Sequence, residues 1–149
     1  YRKGNASMMK PILLDTGPLG RITHPRPNLE IVHWLQDLLR AGVPVIVPEI
    51  ADYELRRNLI LENLIPSLHR LDQLKEVLNY LPLTTETMFH AAQLWAQVRK
   101  QGYPTADPKS LDGDVFLAAQ AIQADAAIAT ENINHLNRIV DARHWRDLP

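Results

Sequence analysis

The feature that most restricts what this chain can become is an alternation. Short runs that are apolar at every position are separated by longer segments with helical periodicity. Pro11-Ile-Leu-Leu14, Val43-Pro-Val-Ile-Val47, Leu81 with Leu83, and Ala126-Ala-Ile-Ala129 read as strands, and Ile139-Val140 reads as a last edge strand. A strand with one face in water would alternate apolar and polar residues. Continuous apolar runs instead belong in a sheet covered on both faces. The expected fold class is therefore α/β: a single three-layer domain with a central, mostly parallel sheet flanked by helices.

The intervening segments carry helical signals. From Asn28, the residues Ile31, Leu35, Leu38 and Leu39 recur on one face, and Gly42 is placed to end the helix. Two helices are expected from about Pro48 to Leu64 and from about Pro66 to Asn79. Thr84 is a candidate N-cap for a helix that turns Met88, Ala91, Ala92, Trp95 and Val98 inward. Gly102 to Ser110 reads as a loop, and Leu111 to Gln123 as another helix. Asp15-Thr-Gly-Pro18 is a turn signal, followed by a Pro-rich loop, and a further turn is expected over Thr130 to Asn134.

Composition narrows the function classes. The chain has 149 residues, the size of one domain, and no cysteine, which excludes disulfides, thiolate zinc sites and cysteine nucleophiles. Its formal net charge of −1 lacks the strong basic excess of a general nucleic-acid binder, so any handling of nucleic acid must rest on a local site. No apolar run is long enough to span a bilayer, which points to a cytoplasmic protein without a membrane partner. Met8 and Met9 read as the natural start, with residues 1–8 a leader and 9–149 the domain. The six histidines lack helical His-pair spacing, which argues against zinc. No Gly-x-Ser-x-Gly or phosphate-loop pattern occurs.

In a parallel sheet every crossover helix starts near the carboxyl ends of the strands, and ligands collect at that edge. The order of elements sends a set of acids there. Asp15 follows the first strand, and Glu54 lies within the first turns of the helix after the second. Asp112 and Asp114 open the helix that leads to Ala126, and Thr130, Glu131 and Asn132 follow that strand. Asp114 shares a face with Leu117, Ala118, Ala121 and Ile122, and Glu54 with Ile50 and Leu61, so both should point inward. Inward carboxylates are costly, because burial and mutual repulsion both oppose ionisation. A divalent cation resolves that conflict: Mg2+ takes oxygen ligands and makes its bound water more acidic, able to attack a phosphodiester. The plainer readings are a turn residue for Asp15, a helix N-cap for Asp112, and a salt-bridged face for Glu54 beside Arg56 and Arg57.

These segments resemble the acidic motifs of a known family. Ile12-Leu-Leu-Asp-Thr16, Glu54-Leu-Arg-Arg57, Asp114-Val-Phe-Leu-Ala-Ala-Gln-Ala121 and Ala129-Thr-Glu-Asn132 are similar, in order and spacing, to the four motifs of PIN-domain nucleases. Among these they look most like the VapC-like toxins of bacterial toxin–antitoxin pairs. The resemblance covers about Met9 to Trp145. It implies a PIN-like fold and an Mg2+- or Mn2+-dependent endoribonuclease with water as nucleophile. Asp15 and Asp114 would be metal ligands, and Glu54 the second acid, bound directly or through water. Thr16, Asp112, Thr130 and Asn132 would support them. Asn132 stands where the family often has an aspartate, and the lost charge implies one tightly held cation. Glu131 falls in the wrong register to replace it. The resemblance further implies an RNA substrate, a homodimer and an antitoxin that blocks the cleft.

Arg21, His24 and Arg26 lie in the Pro-rich loop, and Lys100 and Lys109 flank the later loop. Of these, Arg21, Arg26 and Lys109 are candidate RNA phosphate contacts. Trp34 and Trp95 are expected in the core or a dimer interface. Two rivals stand against the nuclease. A phosphotransferase using Asp15 as nucleophile would want a second aspartate two residues on, where this chain has Gly17. A degenerate nuclease domain could serve as a protein- or RNA-binding module without catalysis, a reading that Asn132 favours and the three retained acids oppose.

Overall fold

The computed structural model describes residues 9–102, 108–133 and 136–149. Among the described residues five strands, β1 (Ile12–Leu14), β2 (Val45–Pro48), β3 (Asn79–Leu81), β4 (Ala127–Thr130) and β5 (Ala142–His144), form one sheet in the order β3-β2-β1-β4-β5. Every neighbouring pair is parallel. The helices are α1 (Thr16–Thr23), α2 (Leu29–Arg40), α3 (Glu49–Leu61), α4 (Ile65–Val77), α5 (Thr85–Gln101) and α6 (Pro108–Ala124). Short 3-10 turns over Leu136–Arg138 and Trp145–Asp147 follow.

Because successive strand residues point to opposite faces, the sheet feeds two cores. Ile12, Leu14, Val45, Val47, Ala127 and Ala129 pack under the first four helices, while Leu13, Ile46 and Ile128 pack against α5 and α6. The expected three-layer α/β architecture is present, and its sheet is parallel throughout. In α6, Ala118 and Ala119 are fully buried, and such small side chains let a helix lie close to the strands. At the end of α2, Gly42 adopts φ +80°, a left-handed conformation natural to glycine.

Several boundaries differ from the sequence expectation. Asp15-Thr-Gly-Pro18 is not a turn but the start of α1. Asp15 is extended, its Oδ1 accepts from the Thr16 N–H at 2.7 Å, and Pro18 sits in the first turn, where no N–H is needed. Gly17, Pro18 and Gly20 make α1 intrinsically poor as a helix; burial of Leu19 and Ile22 overrides that. Arg21 is consequently on the last turn of α1 rather than in the Pro-rich loop. The third strand ends at Leu81, and Leu83 packs beyond it. The final edge strand is Ala142–His144, while Ile139 and Val140 lie in the preceding turn and pack on the α5–α6 side. On α5 the inward residues are Ala91, Leu94 and Val98; Met88, Ala92 and Trp95 lie on an exposed stripe, so Trp95 is not core. Trp34 is half-buried, packs on Trp145 and donates from Nε1 to the Leu148 carbonyl at 3.1 Å.

Candidate active site

The strand order places a topological switch between β1 and β4. The chain leaves β1 for β2 and β3 on one side, and β4 and β5 are added on the other. Loops that part in this way leave a crevice at the strands' carboxyl ends. Asp15 directly follows β1 and Thr130 ends β4, and the two strands are in register at Leu14 and Ala129. The Asp15 N–H extends the ladder to the Ala129 carbonyl at 3.0 Å. Across the crevice, Oδ2 of Asp15 accepts from the Thr130 hydroxyl at 2.7 Å, so both carboxylate oxygens are fixed by donors.

Glu54 reaches the same crevice from α3. The Thr16 hydroxyl donates to its Oε1 at 2.9 Å. Helix α3 begins after Pro48, which offers no capping side chain, and the fully buried Gln120 of α6 supplies the missing acceptor: its Oε1 takes the Ile50 N–H at 3.2 Å. Its Nε2 donates to the Leu81 carbonyl at 2.8 Å. One amide thus clamps α3 to α6 one turn before Glu54. The two helices meet closely at Gly113, where a Cβ would stand only 2.5 Å from Glu54 Oε2.

Asp114 completes the group. No hydrogen-bond donor among the described residues reaches its carboxylate, which faces Asp15 and Glu54. Burial first, then repulsion from Asp15 and Glu54, pushes its pKa up to about 6. Burial also raises Asp15, against the lowering effect of the Thr130 hydroxyl and the Thr16 N–H. Burial raises Glu54 too, aided by repulsion from Asp15 and opposed by Thr16 and Arg57. The three acids therefore act on one another electrostatically. Among the described residues, however, no three His, Asp or Glu side chains converge tightly enough to enclose an ion. The donor set itself suits a hard divalent cation: oxygen ligands only, burial that opposes ionisation, and an unsatisfied carboxylate on Asp114.

The remaining candidates are distributed unevenly. Thr16 and Thr130 belong to the cluster through their hydroxyls. Asp112 is exposed on the opposite side of α6, beside Met88, Trp95 and Phe116; α6 begins at Pro108, so Asp112 is not its N-cap. Asn132 contacts the site through its backbone, its N–H lying 3.2 Å from the Thr130 hydroxyl, while its side chain is exposed. Arg21 and Arg26 line an open cleft next to Thr16, with His24. The side chain of Lys109 lies outside the described residues, as do residues 1–8, on which the expected leader falls. On α6, Leu117, Ala118 and Ala121 are buried as expected but Ile122 is exposed; on α3 Ile50 is buried as expected, together with Leu55 and Leu59, but Leu61 is exposed. Gln120, Gly113 and the contact of Glu131 with Arg21 were not legible as site features. The Asp-Gly-Asp pattern carried one available signal, since a glycine inside a helical pattern suggests a close approach.

Comparison with known proteins identifies the family. The chain matches the PIN domain over residues 12–141 and belongs to that family. Its fold is similar to a chain in the structure of VapBC2 from Rickettsia felis bound to a DNA fragment from their promoter (TM-score 0.74, 18% identity, covering 90% of this chain and 98% of that one). It is also similar to a chain of FitAcB from Neisseria gonorrhoeae (TM-score 0.72, 25% identity, 92% and 99%) and to one of DNA-bound VapBC from Salmonella typhimurium (TM-score 0.68, 20%, 92% and 99%). The chain is thus a PIN domain whose fold is similar to chains of VapBC and FitAcB structures. No curated protein matches the chain in sequence.

Proposed function

We propose that this chain is a divalent-metal-dependent endoribonuclease, the toxin of a toxin–antitoxin pair, with Asp15, Glu54 and Asp114 as its catalytic acids. The observation that carries this reading is the meeting of three mutually repelling, partly buried carboxylates at the switch point of a PIN-domain sheet. A structural role would need such acids to have cationic partners, and Asp114 has none among the described residues.

Asp15 and Asp114, with Glu54, would hold one Mg2+ or Mn2+. That ion, when bound, would offset the carboxylate charge and make bound water more acidic. Asp15 is oriented before any ligand arrives, because donors hold both of its oxygens. Glu54 has Oε1 committed to the Thr16 hydroxyl, which leaves Oε2, above Gly113, to take the proton of the attacking water. Thr130 holds Asp15, and Asn132 holds the turn after β4. The fold likeness to chains of VapBC and FitAcB structures supports an antitoxin protein as partner. A homodimer and a cytoplasmic setting complete the reading; no described helix is long and apolar enough to cross a membrane.

The test is the product of cleavage. With Mg2+, attack by water leaves no 2′,3′-cyclic phosphate on the RNA fragments, and chelator stops the reaction. Cyclic phosphate ends, or cutting that continues in chelator, would replace this mechanism with attack by the RNA's own 2′-hydroxyl.

A further inference from the structure

Beside the acids runs an open cleft of about 610 Å³, lined by Thr16, Arg21, His24, Arg26 and Glu131 among others. Thr16 belongs to both places: its hydroxyl and N–H face Glu54 and Asp15, and it also forms a wall of the cleft. The cleft therefore opens directly onto the acid cluster.

Its charges are arranged in an unusual way. At the end of β4 the Thr130 side chain turns in to Asp15, and the Glu131 side chain turns out across α1. It passes over Gly17, where a Cβ would stand 3.3 Å from Glu131 Cγ, and ends on the Arg21 guanidinium one turn along the helix. Arg21 is half-exposed, so the pair lies at the mouth of the cleft. Arg146 is held by Glu30 at 2.8 and 3.0 Å and also feels the charge of Glu131. Arg26 is exposed and donates its backbone N–H to His24 Nδ1 at 3.0 Å, and its guanidinium has no partner among the described residues.

We propose that this cleft is a subsite for a phosphate of the RNA strand flanking the cut, and that Glu131 is its built-in counter-ion, exchanged for that phosphate at Arg21. The inference rests on the nuclease reading for the identity of the strand. An anionic strand laid over three carboxylates is repelled, so cations must hold it close by. Arg21 can exchange one carboxylate for a phosphate, because its planar fork fits both. An exposed ion pair is weak enough to be displaced. Glu131 then acts as a threshold. It cancels one of the cleft's two arginine charges until a polyanion arrives that offers a phosphate to Arg21 and another to Arg26. Glu131 is a positioning residue here, not a metal ligand.

The experiment is a double-mutant cycle on RNA affinity. A short fluorescein-labelled single-stranded RNA of mixed sequence is titrated in chelator, so that it is bound but not cut, and anisotropy is read across a salt series. Glu131→Gln should tighten binding by about two- to fivefold, the range set by exposed ion pairs. Arg21→Ala should weaken binding and flatten the salt dependence by about 0.7 in slope, the value for one single-strand phosphate contact. In the Arg21→Ala background, Glu131→Gln should bring less than half of its gain. A general field effect of the lost charge would persist there in full, whereas release of Arg21 would not. Unchanged or weaker binding by Glu131→Gln, full additivity in the cycle, or an unchanged salt slope in Arg21→Ala would each overturn the proposal. The nuclease reading is scored separately, by Mg2+-dependent cleavage and its loss in Asp114→Asn. If that holds while the cycle is additive, the subsite fails alone. If the cycle is non-additive but no variant cleaves, the phosphate subsite stands without the nuclease.

Discussion

Gly113→Ala should disable the site without harming the fold. The new methyl carbon would stand 2.5 Å from Glu54 Oε2 and 3.5 Å from its Cδ. Restoring ordinary contact means moving Oε2 by about 1 Å, since non-bonded atoms settle near 3.5 Å. The obstacle is the end of a flexible side chain, so Glu54 yields rather than the backbone. Two stability effects then oppose each other. Alanine gains about 1 kcal/mol over glycine inside a helix. Loss of the 2.9 Å bond from the Thr16 hydroxyl to Oε1 costs about 1 kcal/mol. Net stability should change by less than about 1 kcal/mol, or about 4 °C in Tm. Catalysis has no such compensation, because a misplacement of about 1 Å can cost up to about 100-fold. The expected loss in kcat/KM is about 10- to 100-fold with Mg2+. Combined with Glu54→Asp, whose shorter side chain clears the methyl, the alanine should cost little beyond Glu54→Asp alone. Wild-type cleavage by a folded Gly113→Ala variant would refute the reasoning, as would a Tm loss of ten degrees or more.

Asp114→Asn should stabilise the metal-free protein at neutral pH. The Asp114 pKa rises from 3.8 unfolded to about 6 folded, so the folded state holds the extra proton between these values and stability falls as pH rises through that window. After allowance for solvent screening, the variant should gain about 1–2 kcal/mol at pH 7 and almost nothing at pH 4. Chemical denaturation in chelator at both pH values checks this, and an equal gain at both would contradict it. Thr130→Val removes the donor to Asp15 Oδ2 and should raise the pKa of Asp15 further, moving the acid limb of the kcat/KM profile to higher pH; an unmoved limb would exclude that role. Asp52 is buried and accepts from Arg56, Lys75 and the Tyr80 hydroxyl, so Asp52→Ala should cost about 1–3 kcal/mol by leaving Lys75 and Tyr80 without their acceptor, while Arg56 keeps Asp72. A loss under about 1 kcal/mol in urea would show the network to be dispensable.

Much of the architecture was legible because apolar runs such as Ile12–Leu14 and Ala127–Ala129 are buried on both faces, and periodicity reports burial directly. Asp15, Glu54 and Asp114 could be brought to one sheet edge by topology alone. What escaped depended on tertiary contacts that leave little local trace. Helix α1 exists against its own propensity, held by Leu19 and Ile22. Strand β5 has only three residues, two of them Arg143 and His144, so edge pairing rather than an apolar run defines it. Periodicity turned Asp114 inward correctly, but it did not show that α6 starts at Pro108 and carries Asp112 to the exposed face beside Trp95 rather than to the acids. The role of Gln120 depends on Pro48 having no capping side chain in another element, which no local pattern reveals.

The central claim is that the acids meeting at the switch point perform metal-dependent RNA cleavage. Its most direct test compares wild type with Asp114→Asn on mixed cellular RNA in Mg2+ or Mn2+, with a chelator control. The account predicts cleavage by wild type alone, abolished by chelator, with the variant fully folded. A folded Asp114→Asn protein that cuts RNA as wild type does would contradict it.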